Sequence, residues 1–493
     1  MSKLRQLTKQ DVLFVGGETA TVYQHTAGLV ILDSGGRPDF NFRMFHEHVI
    51  ERVGQIPHFH WKLHEVPLGL DLPYWVDDDN FSYEHHIKRI AVPSPGDRVA
   101  LGELVAHLYS KHLDRSRPLW EIWFIEGLPD GKFAILQKLH HCMMDGQGAS
   151  KLGEILCDFE PDAPPHKIDD SITGAKAGDT PSPWQQSLNT TAHFASMAVG
   201  VRREILDFIG PKIRRQLTFK KEPAVEAPVV PKACFNADIS SHRGFVFGSL
   251  PLSEIKAIKK FFEVSINDVV IAIVGSSMRA YLLAQDNLPE QSLRIGMPVS
   301  LRSEEDDEFS NKVTNTIVSL ATDLADPKQR LQVIHEEAEQ GKNKARGGAR
   351  GLMEIMQMMP PLLVNAMLNI SSAEQTARLL GMNFIVSSVR GSSASMYVAG
   401  VKMKGIYPMS IITPGMGINF TCVSYADNID FGVAIEPELL HDAWSIVDGL
   451  EEALAEYMAL VRKKPPGKRG NRAPKKTATK KKPSSRAKRR VKK

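Results

Sequence analysis

At 493 residues the chain is long enough for two or three domains and a large core, two fitting the layout of its motifs better than three. Its four cysteines (Cys142, Cys157, Cys234, Cys422) are scattered, with no CxxC and no short framework, which argues against a disulfide scaffold and for a reducing compartment. The formal net charge of +4 conceals a division: residues 462–493 hold 17 Lys/Arg and no acidic residue, so the preceding 461 residues carry 44 basic against 57 acidic groups.

The first residues, Met1 to Gln10, contain no apolar run of the kind that marks a secretory signal. No window reads as the roughly 18 consecutive apolar residues of a membrane span. Residues 1–160 are predicted to form an α/β unit. Near its end, Lys132 to Leu139 has strand character, and Leu152, Ile155 and Leu156 fall on one face of a following helix. Between them runs His140-His141-Cys142-Met143-Met144-Asp145-Gly146. A histidine where a strand turns toward a helix is exposed by the loop and held by its flanks, and an unperturbed imidazole accepts a proton near neutral pH. Asp145 follows His141 by four residues and can orient the ring or brace the turn, while Gly146 allows a sharp bend. Two other readings of this heptapeptide stand beside the general base: a packed structural pair, and a metal site that lacks the neighbouring His/Cys ligands to complete it.

Residues 161–235 read as linker and crossover. A loop-like stretch precedes a helical segment over 184–220, where Met197, Val201, Ile205, Phe208 and Ile209 recur at helical spacing beside Arg202, Arg203, Lys212, Arg214 and Arg215. Such a segment either packs over a domain junction or lies on a membrane interface. The second domain is expected over 236–461. Leu252–Phe262 reads as a helix, and Val264–Ala280 as another whose start carries Asn267-Asp268, an N-cap pair in the bland reading. Met353, Met356, Met358, Met359 and Met367 cluster in one apolar stretch, either core or the adaptable lining of a channel. The tail, 462–493, has almost nothing apolar and is expected to be disordered.

Absent motifs narrow the chemistry. There is no G-x-S-x-G elbow, no G-x-x-x-x-G-K-[ST] loop, no strand-linked G-x-G-x-x-G and no H-E-x-x-H.

The order Pro118-Leu119-Trp120-Glu121, His140 to Gly146, Ser265-Ile266-Asn267-Asp268 and Pro298-Val299-Ser300-Leu301-Arg302 resembles the bacterial wax ester synthase/acyl-CoA:diacylglycerol acyltransferases. Val66 to Leu70, Leu113 to Glu121, Asn383 to Val389, Tyr397 to Asn419 and Asp430-Phe431-Gly432 are similar to the same family, so the resemblance covers roughly residues 1–460. HHxxxDG alone is shared with a wider superfamily of CoA- and carrier-dependent acyltransferases; PLW and ND make the match specific. Cys142-Met143-Met144 is bulkier than is usual inside the motif.

The resemblance implies an α/β fold of two chloramphenicol acetyltransferase-like domains, each with a mixed sheet, meeting at a substrate tunnel. It implies transfer of a fatty acyl group from acyl-CoA to diacylglycerol or a long-chain alcohol, with His141 as general base, no acyl-enzyme and no metal or other cofactor. Asp145 would brace the loop and His140 support its neighbour. Asn267 would donate to the oxyanion. Pro118, Leu119, Trp120, Gly146, Asp268, Ser300 and Arg302 are the expected substrate-binding set. The basic tail lies outside the resemblance. An anionic membrane or lipid-body surface is its favoured partner, giving a cytoplasmic, peripheral protein; nucleic acid offers the same counterion release but is not favoured. A carrier-protein-dependent condensation-type acyltransferase, and a non-catalytic lipid-body or nucleic-acid-binding protein on the same fold, are the alternatives.

Overall fold

The computed structural model describes residues 4–8, 11–35, 37–143, 153, 155–163, 176–195, 230–300, 313–345 and 372–463. Two six-stranded mixed sheets and a two-stranded hairpin carry the fold. In the first half, α1 (Asp11–Gly17) precedes β1 (His25–Asp33), α2 (Phe42–Val53), the hairpin β2 (Trp61–His64) and β3 (Tyr74–Asp77), β4 (Ile87–Ala91), α3 (Arg98–Tyr109), β5 (Trp120–Glu126) and β6 (Lys132–His140). The second half contains β7 (Gly244–Pro251), α4 (Leu252–Phe262), α5 (Ile266–Ala284), β8 (Arg294–Ser300), β9 (Val313–Ser319), α6 (Pro327–Ala345), α7 (Ala373–Leu380), β10 (Phe384–Arg390), β11 (Tyr397–Val398), β12 (Val401–Met409), β13 (Ile418–Tyr425), β14 (Asn428–Ile435) and α8 (Trp444–Lys463).

The first sheet runs β11-β12-β1-β6-β5-β4 and the second β7-β14-β13-β10-β8-β9. Two strands of the second half therefore complete the first sheet, an exchange that a partition at residues 160 and 236 does not contain. Asp430-Phe431-Gly432 sits where the exchange occurs. Asp430 accepts the Ile406 N–H at 2.8 Å and the Ser249 hydroxyl at 2.6 Å, tying β14 and β7 to β12. A Cβ on Gly432 would lie 1.8 Å from the Pro408 carbonyl oxygen, so only glycine admits the crossing strand this closely. Leu101, Val105 and Leu108 of α3 share a core with Phe245 and Phe247 of β7, which packs the two halves together.

Helix α5 is long and apolar enough to cross a membrane, contrary to the expectation that no such window exists. It is 72% buried over that window, among Ile255, Ile295, Val318, Ile334, Phe420 and Ile446 of the second core. Its middle turns, residues 268–278, are buried all round, and a core helix of that kind is as apolar as a membrane span. Of the predicted helical segment, residues 183–195 are helical and 196–229 lie outside the described residues, as do the five clustered methionines and residues 464–493.

Candidate active site

His141 stands one residue beyond β6, in the first turn after the strand. Its backbone N–H donates to the Gln24 carbonyl at 2.8 Å, and the Gln24 side chain in turn donates to Gly17 O, the last residue of α1, at 3.2 Å. Phe14 of the same helix stacks on the imidazole, with ring centroids 4.0 Å apart and planes 11° from parallel. One short helix thus fixes both the backbone and one ring face of the half-buried histidine.

The preceding strand is registered by the PLW segment. The His140 N–H donates to Leu119 O at 3.0 Å, and Trp120 pairs with Leu139 across the antiparallel β5–β6 ladder. Pro118, Leu119 and Trp120 are all buried. The Trp120 indole donates to Phe59 O at 2.8 Å and stacks on His86 at 4.4 Å. Leu119 and Trp120, from the expected substrate-binding set, are buried core residues that hold the histidine-bearing strand. Their apolar bulk, with its one N–H satisfied, belongs in the interior.

Beneath His141 lies a buried polar cluster. His140 Nδ1 receives the Cys142 N–H at 3.2 Å and lies 3.0 Å from the Cys142 thiol, so the ring's proton belongs on Nε2. That nitrogen faces Glu18 Oε2 at 3.8 Å, an ion-pair distance rather than a hydrogen bond. Glu18 also meets Arg115 at 3.0 Å and His112 at 3.1 Å. Burial alone would raise the Glu18 carboxyl, yet His140, Arg115 and His112 hold it at about 2. Burial pushes His140 below the ordinary histidine range, against the pull of Glu18, which keeps it neutral at pH 7. It also pushes the Cys142 thiol far up. Lys138, likewise buried, is lowered to about 8 by desolvation. Its ammonium donates to Leu108 O at 3.1 Å and to Lys111 O, where a cation suits the carbonyl end of α3. A neutral, tautomerically fixed His140 over an ionised Glu18 is a rigid platform for His141 beside it.

The second group of expected residues gathers on the other sheet. Asn267 lines a small cleft with Val270, Ile271, Met297, Pro298, Val386 and Ser388, so the cleft draws on three of the family-like segments. Asp268 does other work. Ser265, not the Asn267-Asp268 pair, is the N-cap of α5, and Asp268 completes its capping box by accepting the Ser265 N–H at 2.9 Å. The same carboxylate oxygen lies 2.7 Å from His335 Nδ1 of α6, and the residue is buried. The carboxylate so occupied ties the start of α5 to α6. Ser300 ends β8, paired with Val313. Asp145, Gly146 and Arg302 lie outside the described residues. Among the described residues no hydrogen bond or ring contact joins His141 to Asn267, and no group of three or more His, Cys, Asp or Glu residues has the arrangement to hold a metal ion.

Phe14, Glu18 and Gln24 had no sequence signal. They come to the site from over a hundred residues away, and only the α1–β1 return to β6 brings them there.

Residues 7–270 match the wax ester synthase/diacylglycerol acyltransferase catalytic domain, and residues 309–458 match the C-terminal domain of the same proteins. A Mycobacterium tuberculosis protein named as a diacylglycerol O-acyltransferase is 30% identical over 468 residues, spanning 94% of this chain and 92% of its own. The tgs1 protein of Mycobacterium tuberculosis, named in the same way, is 30% identical over 485 residues, spanning 94% of this chain and 97% of its own. The solved wax ester synthase/diacylglycerol acyltransferase from Marinobacter aquaeolei VT8 superposes with a TM-score of 0.69 at 26% identity, covering 93% of this chain and 100% of that one. The starter condensation domain of rhizomide synthetase, with a TM-score of 0.51 at 11% identity over 93% of this chain and 95% of that one, shares the fold alone. Matched by both domains of one family across most of its length, the chain belongs to the wax ester synthase/diacylglycerol acyltransferase family.

Proposed function

We propose that the chain moves a fatty acyl group from acyl-CoA to the hydroxyl of diacylglycerol or a long-chain alcohol, with His141 as general base. The single observation that carries this is the strand-end His141, its backbone N–H held by the Gln24 carbonyl and its imidazole stacked on the Phe14 ring, within a chain of this family. His141 takes the proton as the acceptor oxygen bonds to the thioester carbonyl carbon. The carbon–sulfur bond then breaks, and the departing thiolate takes the proton back, leaving ester and free CoA. General-base assistance of this kind contributes about 10²–10⁴-fold, and alignment of two bulky substrates adds to it. Asn267 is the proposed donor to the oxyanion, its amide positioned in the first turn of α5. Asp145 is the proposed brace of the loop after His141.

The reaction draws on no metal or redox cofactor, acyl-CoA being a substrate. The basic tail is proposed to hold the enzyme at an anionic membrane or lipid-body surface on the cytoplasmic side, each surface-proximal Lys or Arg contributing about 1 kcal/mol. Nucleic acid is not the favoured partner. The test of the reading is product analysis with palmitoyl-CoA and either diacylglycerol or hexadecanol. Triacylglycerol or wax ester formed in step with CoA release is expected; CoA release without either ester contradicts it.

A further inference from the structure

The helix over residues 183–195 is amphipathic the wrong way round. Its polar face meets the protein. Gln186 Nε2 and His64 Nε2 are 2.8 Å apart, Asn189 donates to the Tyr74 hydroxyl at 2.9 Å, and His193 Nδ1 lies 2.5 Å from Asp71 Oδ1, with the Thr190 hydroxyl 3.5 Å from the same carboxylate. These residues recur at three- and four-residue spacing and so share one side of the helix. The other side turns apolar groups to solvent: Trp184 is 71% exposed, Leu188 51% and Phe194 36%. The hydroxyls between them are already satisfied within the helix, Ser187 donating to Pro183 O at 2.9 Å and Thr191 to Ser187 O at 2.8 Å.

A helix of a water-soluble surface ordinarily buries its apolar stripe against the core. Here four polar contacts anchor the helix, so the outward face is not the one that folding needs covered. We propose that Trp184, Leu188 and Phe194 form a docking face for a lipid surface bearing anionic headgroups. Two features select that occupant. The face makes no polar demand, as insertion at a headgroup–acyl boundary requires. The chain that follows, residues 196–221, carries seven Lys/Arg against two acidic residues, the charge that complements anionic lipid. That a lipid surface is where the enzyme meets its acceptor rests on the proposed function; the inverted face does not.

The test uses the full chain and vesicles of phosphatidylcholine with phosphatidylglycerol. Replacing Trp184, Leu188 and Phe194 together by serine is expected to lower the vesicle-bound fraction's partition coefficient roughly tenfold or more. CoA release with detergent-dispersed acceptor stays at the wild-type rate. Vesicle binding at the wild-type level overturns the proposal. If it is accompanied by conversion of a wild-type dimer to monomers, a second copy covers the face; if by a lower melting temperature, the chain itself does. A second readout needs no triple variant: acyl-chain bromine should quench Trp184 emission, and Trp184→Phe should lose most of that quenching. Equal quenching in Trp184→Phe overturns the proposal. Loss of ester formation with every acceptor would sink the proposed function and leave these binding results intact.

Discussion

Phe14→Leu isolates what the stacked ring does for His141. Leucine keeps apolar bulk against Leu7, Val15, Leu63 and Cys142, the cluster that Phe14 joins, so the helix retains most of its packing. The stack itself is removed. An aromatic pair at 4.0 Å and 11° is worth about 0.5–1.5 kcal/mol beyond the area it buries. If that energy holds the imidazole in its productive orientation, its loss lowers the productive fraction by about twofold to tenfold. Because the effect falls on the base and not on the thioester's binding, kcat should drop while KM for acyl-CoA is little changed. The assay is thiol-detected CoA release at saturating acceptor, with the melting temperature measured in parallel. Wild-type kcat in Phe14→Leu, or a loss confined to KM, would refute the claim that α1 positions the base.

Three further outcomes follow from the same geometry. Asp430, buried and raised to about 6 by desolvation against the opposing Ser249 and Ile406 hydrogen bonds, binds its proton more tightly folded than unfolded. Stability from this residue is therefore complete below about pH 4 and is lost as pH rises through about 6. Asn at this position can accept the Ile406 N–H and donate to Ser249, so Asp430→Asn should gain up to about 3 kcal/mol at pH 7 and lose this dependence, read from urea midpoints between pH 4 and 8; an unchanged slope contradicts the assignment. Glu18 has the opposite sign: held at about 2, it contributes stability above its ordinary 4.5 that fades as pH falls toward 2. Glu18→Gln should cost about 1–3 kcal/mol at pH 7 and progressively less toward pH 3, and a deficit constant with pH would tell against an ionised Glu18. Asp268→Ala removes the capping box of α5 and the partner of His335, for a loss of about 1–2 kcal/mol seen as a lower melting temperature; wild-type stability would contradict this role in holding α5 to α6.

The parts of this molecule legible in the sequence are those set by neighbours along the chain. Strand β6 and helices α4 and α5 follow from short-range periodicity, though the cap of α5 is Ser265 and not the Asn267-Asp268 pair, and Gly432 could be recognised as a motif before its reason was known. What was not legible depends on who meets whom. Nothing local says that Val401–Met409 pairs with β1 rather than with strands of its own half, because an antiparallel edge accepts any strand of compatible pattern. The same limit hid Phe14 and Glu18. Trp120 shows a different limit: a motif marks a residue as required without saying whether it registers the histidine-bearing strand, touches substrate, or both. The helix over 183–195 begins where a helical segment is expected, but the outward turn of Trp184, Leu188 and Phe194 is not readable locally, since periodicity alone assigns an apolar stripe to the core.

The measurement that tests the central claim most directly is acceptor-dependent CoA release from palmitoyl-CoA by wild type and His141→Ala, each with its melting temperature. The account predicts release that requires the alcohol in the wild type and falls by about 10²-fold or more in the variant, with the fold retained. A folded His141→Ala protein that still transfers at the wild-type rate would contradict it.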